Sequence, residues 1–275
     1  MRRIVTDSNS QLPPELRDRY GIEVVPITVT VDGVEYREGI DLDADGFYAL
    51  WEGGQPEVST SQPSPGAFIE TYERLAADGA TEILSVHVAA DLSGTLNSAR
   101  LAAEAVDVPV RLVDTGTMSF GISCCVWEAA EVLRSGGTVE EAARTAEKLA
   151  PAIGSVTILQ ALEFTRGQGR MVDQLLADAD GIPVLAFVDG ETQLLGEGRS
   201  IEELSRLMVE RMTASGEPVR VAVCIADASA QPFWEAMERQ LAERSNVVDL
   251  VRYRVGPSVG AFTGPGAAGG FWYGV

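Results

Sequence analysis

The sequence predicts a two-domain chain. An N-terminal α/β domain with a mostly parallel, helix-flanked sheet precedes a C-terminal α+β domain with a mixed sheet and helices. Three observations point there. The 275 residues exceed what one ordinary core needs. The first half alternates short apolar runs with helical patterns, as parallel sheets require. The second half interrupts that alternation with a hairpin signal. The composition shift falls near residues 151–165, and the domains are drawn as 1–158 and 159–275.

In order, RRIVTDS reads as a strand ending in polar residues. PPELRDRYG reads as a helix with proline in its first turn and glycine after its end. IEVVPITVTVDGVEYRE has the pattern of a hairpin turning at Asp32-Gly33. Ser64-Pro65 opens a helix whose apolar Phe68, Tyr72 and Leu75 recur at helical spacing, closing at Gly79. Strand EILSVHV, helix TLNSARLAAEAV and strand PVRLVD follow. Two helices then cover ISCCVWEAAEVLRSGG and TVEEAARTAEKLA, the second opened by a capping box of Thr138 with Glu141. GSVTILQALEF leads to the loop TRGQGRM, and GIPVLAFVDGETQLLGE reads as a hairpin turning at Asp189-Gly190. Helix SIEELSRLMVERM has Ser200 and Glu203 as its capping box. Strand VRVAVCIA, helix QPFWEAMERQLAER and strand VVDLVRYRV precede a glycine-rich tail.

The formal charge is −20, from 41 acidic against 21 basic residues. Such a field repels phosphate backbones and anionic headgroups, so neither nucleic acid nor stable membrane insertion is expected. The N-terminal MRRIVTDSNSQLPPEL lacks the apolar core of a signal peptide, and no uncharged run has the length of a membrane span. Cys124, Cys125 and Cys224 show no CxxC spacing and read as buried small hydrophobes of a reducing cytoplasm.

Two motif matches fail on context. DLDADGFYALWE, residues 41–52, fits the calcium-loop pattern, but a hairpin precedes it and Gly53-Gly54-Gln55-Pro56 follows. A short capped helix explains it better, with Phe47, Leu50 and Trp51 as the buried stripe. GPGAAG, residues 264–269, matches G-x-G-x-x-G with no room for the helix that would carry a pyrophosphate. It is expected to be a turn allowing close backbone approach. No metal site or other cofactor is expected.

What remains is a set of hydroxyl-rich loops: Thr6-Asp7-Ser8, Ser93-Gly94-Thr95, Thr115-Gly116-Thr117-Met118-Ser119, and Ser59-Thr60-Ser61-Gln62-Pro63-Ser64. In a parallel α/β sheet ligands bind beyond the carboxyl ends of the strands, where helix N-termini present free N–H groups. Hydroxyls and N–H groups converging there can hold a carboxylate or phosphate. Capping accounts for Ser64 and for part of Ser93, but four such loops exceed capping needs. The lone histidine, His87, lies in a strand and reads as structural. No nucleophile elbow, Walker loop or HExxH occurs. A binder without catalysis is therefore expected. The alternatives are an acyl ester or acyl phosphate hydrolase with Ser93 as nucleophile, and a phosphoryl-relay module.

These loops also carry a resemblance. TDSNSQLP at 6–13, TSQPSPGAF at 60–68, LSGTLNSA at 92–99 and VDTGTMSFG at 113–121 resemble the motifs of the DegV family of bacterial fatty-acid-binding proteins. LEFTRGQGR at 162–170, VGPSVG at 255–260 and TGPGAAG at 263–269 complete the set along the chain. The resemblance implies a long-chain fatty acid such as palmitate or oleate between the two domains. It implies a carboxylate gripped by Thr60, Ser61, Ser93 and the Gly94-Thr95 backbone, with Asp7, Ser8, Thr117 and Ser119 in supporting loops. It also implies presentation of the ligand to a fatty acid kinase, with Arg170 and Arg199 facing the phosphate. The family usually carries histidine in a G-T-H-x-G-P-G motif. Here Phe262 stands in that segment and can neither donate a hydrogen bond nor stabilise phosphate charge.

Overall fold

The computed structural model describes residues 1–158, 181–188 and 191–275. The chain forms two compact units, one of residues 1–42 and 57–151, the other of 43–56 and 152–275.

In the first unit, β1 (Arg2–Asp7), β2 (Glu23–Val25), β6 (Glu82–His87) and β7 (Val110–Asp114) make a parallel sheet of order β2-β1-β6-β7. Its carboxyl edge carries the ends of β1, β6 and β7. Helices α3 (Pro65–Ala77) and α4 (Thr95–Ala103) cover one face. There Phe68, Tyr72 and Leu75 are fully buried against Val5, Val25 and Ile83. Helices α5 (Phe120–Arg134) and α6 (Val139–Leu149) also pack on this sheet. The predicted capping box at Thr138 and Glu141 is present in both directions. Helix α1 (Pro14–Tyr20) ends on Gly21 at φ 60°, a conformation glycine takes without steric cost.

The run IEVVPITVTVDGVEYRE differs from the single hairpin expected. It splits at Pro26: β2 joins the parallel sheet, while β3 (Thr28–Val31) and β4 (Val34–Arg37) form the hairpin. Asp32 and Gly33 both have positive φ, as a two-residue turn matched to strand twist requires. β5 (Val58–Ser61) pairs with β3 to complete a three-stranded antiparallel sheet.

The second unit holds a six-stranded mixed sheet of order β10-β9-β8-β13-β11-β12. Its strands are β8 (Gly154–Ile158), β9 (Ile182–Val188), β10 (Glu191–Gly198), β11 (Val219–Ile225), β12 (Val247–Arg254) and β13 (Ala268–Gly274). Helices α7 (Ile201–Met212) and α8 (Gln231–Ala242) bury Leu204, Met208, Met212, Phe233 and Met237 in its core. Ser200 caps α7, while Glu203 accepts from Arg199 N–H, one residue upstream of the usual capping-box donor. The turn expected at Asp189-Gly190 and the loop TRGQGRM lie outside the described residues.

The glycine-rich tail is where the structure departs furthest from expectation. It contains a short helix, α9 (Pro257–Thr263), and then β13, an inner strand between β8 and β11. The close approach expected for this segment is real and tighter than a turn. A Cβ on Gly269 would lie 2.2 Å from the Val156 carbonyl oxygen, and one on Gly270 2.5 Å from that of Ala222. Strand propensity disfavours glycine, but here only glycine lets the neighbouring backbones close in.

The segment 41–52 forms a six-residue helix, α2 (Ala44–Ala49), followed by a 3₁₀ turn. Phe47 is buried as expected. Tyr48 is buried with it, whereas Leu50 is exposed, because the chain leaves α-helical geometry at that point. Each aspartate of the calcium-like pattern has its own partner. Asp41 chelates Arg37, Asp43 accepts from Gly46 N–H, and Asp45 pairs with Arg254. Among the described residues no group of three or more acidic, histidine or cysteine side chains is placed to hold a metal ion.

The three cysteines are free and buried. Among the described residues no helix is long and apolar enough to cross a membrane.

Candidate functional site

The carboxyl edge of the parallel sheet gathers the hydroxyl-rich loops. At the turn after β6, Ser93 Oγ and Thr95 Oγ1 lie 2.8 Å apart, and Ser93 Oγ also accepts from Thr95 N–H at 3.3 Å. Thr95 is fully buried and Ser93 only partly so. When Thr95 donates to Ser93, the Ser93 proton remains available to an outside acceptor. The turn itself is set by Leu92 and Ser93 N–H groups donating to the Ala89 carbonyl at 3.0 and 3.1 Å.

The 59–64 segment comes from the antiparallel sheet, not from the parallel one. It nevertheless reaches the same turn: a Cβ on Gly94 would lie 2.4 Å from Gln62 Oε1 and 2.5 Å from its Nε2. The Gln62 amide therefore lies directly over Gly94, in the space that a side chain there would take. Thr60 is half-buried and Ser61 exposed at the end of β5, and Ser64 caps α3 by accepting from Ala67 N–H.

The supporting loops are more deeply committed to the fold. Ser8 Oγ donates to the buried Glu38 carboxylate at 2.5 Å and accepts from Ile27 N–H at 2.9 Å. Thr117 is half-buried, and its carbonyl accepts from Ala89 N–H at 2.9 Å. Ser119 is buried with φ 54°, a conformation costly for a residue with a Cβ. Its N–H donates to Asn9 Oδ1 at 3.0 Å.

Asp7 belongs to a constellation that sequence reasoning did not assemble. Its carboxylate accepts from His87 Nδ1 at 2.8 Å, from Val88 N–H at 3.2 Å and from Asn9 N–H at 3.1 Å. His87 Nε2 lies 2.7 Å from Ser85 Oγ, which lies 2.8 Å from Tyr72 Oη. All four side chains are buried. Burial pushes the Tyr72 hydroxyl up to about 12, against a smaller lowering by its bond to Ser85. The signal was present on β6: Ser85 and His87, two residues apart, put two polar groups on one face of an apolar strand. With both ring nitrogens engaged, His87 is not a base for Ser93, whose hydroxyl bonds Thr95 instead.

Of the remaining predicted residues, Arg170 lies outside the described residues. Arg199 is exposed just before α7, its N–H donating to Glu203. Phe262 sits on α9 and is 54% exposed.

Comparison with known proteins decides the family. The model described as "Uncharacterised protein, DegV family" matches residues 1–274. The chain belongs to the DegV family. A DegV domain-containing protein of Streptomyces coelicolor is 36% identical over 274 residues, covering 97% of this chain and 96% of that one. One from Deinococcus radiodurans is 33% identical over 273 residues, with the same coverage. Among solved structures, the fatty-acid-binding DegV family protein from Thermus thermophilus aligns with a TM-score of 0.87 at 29% identity, over 100% of this chain and 99% of that one. DegV, a fatty acid binding protein from Bacillus subtilis, aligns with a TM-score of 0.83 at 25% identity over the same shares. The DegV fold thus runs the length of the chain, a parallel sheet with its helices in one unit and a mixed sheet in the other.

Proposed function

We propose that this DegV protein binds a long-chain fatty acid and performs no chemistry of its own. Its carboxylate would sit at the Ser93-Gly94-Thr95 turn, taking hydrogen bonds from the Ser93, Thr60 and Ser61 hydroxyls and from turn N–H groups, with the tail in an apolar tunnel. The observation that carries this reading is the meeting of Gln62 with Gly94, which brings two hydroxyl-bearing segments from different sheets to one spot. The fatty acid binding of the Thermus and Bacillus relatives supports the ligand class.

The energetics divide between the two ends of the ligand. Burying about fifteen tail carbons at ~0.8 kcal/mol each contributes roughly 12 kcal/mol gross. Lost freedom of ligand and side chains takes back several kcal/mol, which leaves binding in the micromolar-to-nanomolar range. The tail supplies affinity, and the polar turn fixes orientation. A buried carboxylate without donors would be prohibitive, so several must converge on it.

In the fuller form of this reading the bound acid is presented to a fatty acid kinase, with Arg170 and Arg199 toward the phosphate. Phe262 leaves the arginines without the histidine usual in the family, so delivery is the step this chain does least to support.

The test is mass spectrometry of the denatured, purified protein together with titration of oleate or palmitate. Co-purified acyl chains and uptake of added fatty acid are expected. Replacing Ser93, Thr60 and Ser61 together by alanine is expected to weaken binding more than tenfold. Absence of both acyl chains and uptake would end the proposal, and unchanged affinity in the triple variant would move the head group elsewhere.

A further inference from the structure

The buried Asp7–His87–Ser85–Tyr72 chain is expensive to build inside a domain, since each polar group must be satisfied there. Its proton arrangement is nevertheless closed. A carboxylate only accepts, so His87 Nδ1 carries the proton directed at Asp7. A bare Nε2 accepts from Ser85, and Ser85 then accepts from Tyr72. The Val88 and Asn9 N–H groups complete the carboxylate's shell.

Each end of this chain is fastened to a different part of the candidate site. Tyr72 lies on α3, the helix that begins right after the 60–64 loop, and Phe68 from its first turn packs edge-on to the His87 ring at 5.1 Å. On the other side, Val88 is held by Asp7, and the next residue, Ala89, accepts the N–H groups that shape the Ser93 turn. The His87 carbonyl accepts from Thr115 Oγ1 at 2.8 Å. Asn9, bonded to Asp7, holds the left-handed Ser119 through its N–H. The imidazole therefore stands between the helix that anchors one polar loop and the turns that carry the others.

We infer that His87 is a positioning residue of the site: through Asp7 on one nitrogen and Ser85 on the other, it fixes the spacing of residues 60–62 and 93–95 on which carboxylate capture depends. A helix and a strand end joined only by apolar packing could slide by fractions of an ångström. Directional bonds at both ring nitrogens remove that freedom. The inference rests on the fatty-acid reading above, and its test separates the two.

His87→Phe keeps volume and the contact with Phe68 but removes both bonds. His87→Asn keeps a donor to Asp7. Tyr72→Phe removes only the terminal hydroxyl. By oleate titration, His87→Phe is expected to lose at least tenfold in affinity while unfolding cooperatively. His87→Asn is expected to recover most of the loss, and Tyr72→Phe to lose about twofold to fivefold. Parental affinity in a folded His87→Phe overturns the inference. If that variant does not fold, parental affinity in Tyr72→Phe overturns it.

A second measurement needs no ligand. His87 is the only histidine, so its ring ¹⁵N signals read the tautomer directly. Nδ1-protonated, Nε2-bare shifts are expected, with displaced Gln62, Gly94 and Thr95 amide signals in Tyr72→Phe. The opposite tautomer, or unmoved amides, overturns the inference even if the parent protein binds no oleate. Failure of the parent to take up oleate counts against the fatty-acid reading alone.

Discussion

The two units solve the same problem of fixing a sheet edge with opposite materials. In the first, Asp7, Ser8, Glu38, Ser85, His87, Thr95, Thr115 and Ser119 are buried, and each makes a hydrogen bond. In the second, the buried polar side chains among the described residues are Ser205, Thr213 and Ser258. Its sheet is packed instead by apolar residues and by glycines that admit neighbouring backbone. One unit is held by directional bonds, the other by space. Directional bonds suit a region that must present donors at set positions. A space-filled sheet is the stiffer and less tolerant construction.

The comparison predicts that the largest damage comes from adding volume in the second unit. In Gly269→Ala the new methyl would meet the Val156 carbonyl oxygen at 2.2 Å with the Thr157 Cα at 3.0 Å, both backbone atoms that cannot rotate away. A loss of about 3 kcal/mol or more, or failure to fold, is expected in urea denaturation. Near-parental stability would mean that this strand is not packed as tightly as its neighbours require.

The counterpart in the first unit is a lost bond at constant volume. Thr115→Val removes the hydroxyl that donates to the His87 carbonyl, while the Thr115 N–H still donates there. A loss of roughly 1–2 kcal/mol is expected by the same denaturation assay. A loss as large as that of Gly269→Ala would erase the contrast between the two units.

Gly94→Ala sharpens the contrast, because its clash is with a side chain that can move. The methyl would displace the Gln62 amide, which is exposed, so stability should change by less than about 1 kcal/mol. Oleate affinity should nevertheless drop about tenfold, because a displaced Gln62 disturbs the turn. Adding Gln62→Ala should restore part of it. An affinity that survives Gly94→Ala would separate the turn from the ligand.

These contrasts also explain what was legible in the sequence. The first unit follows local rules. Ser64 and Thr138 announce their helices, Gly21 ends one, and Phe68, Tyr72 and Leu75 mark a buried stripe by period alone. The hydroxyl-rich loops after β6 and before α3 could be named as site candidates for the same reason. β13 could not, because glycine lacks strand propensity and its reason for being there is a neighbouring backbone more than a hundred residues away in the chain. The β2–β3 run misled through its continuous β pattern, broken only by Pro26. The Asp7–His87 contact spans eighty residues, so only the parity of Ser85 and His87 could hint at it. Local signals give elements and loops, and tertiary joins decide what the loops are fastened to.

The smallest effect concerns an aspartate in the opposite circumstance from Asp7. Asp41 is exposed, and Arg37 binds it through its guanidinium at 2.8 and 2.9 Å and through its backbone N–H at 3.0 Å. The Arg37 side-chain bonds, with help from the backbone bond, hold the Asp41 carboxyl at about 2, below its ordinary 3.8. A carboxyl lowered on folding stabilises the protein above its unfolded value, and the contribution is lost as pH falls toward the folded one. The window is therefore acidic, between about 4 and about 2, and nothing should change near neutrality. Arg37→Gln is expected to return Asp41 toward 3.8 in a ¹³C carboxyl titration and to lower the melting temperature at pH 7 only slightly, since solvent screens so exposed a pair. A marked drop in melting temperature would show that this exposed clasp carries fold stability, and the division between buried bonds that matter and surface bonds that do not would have to be redrawn.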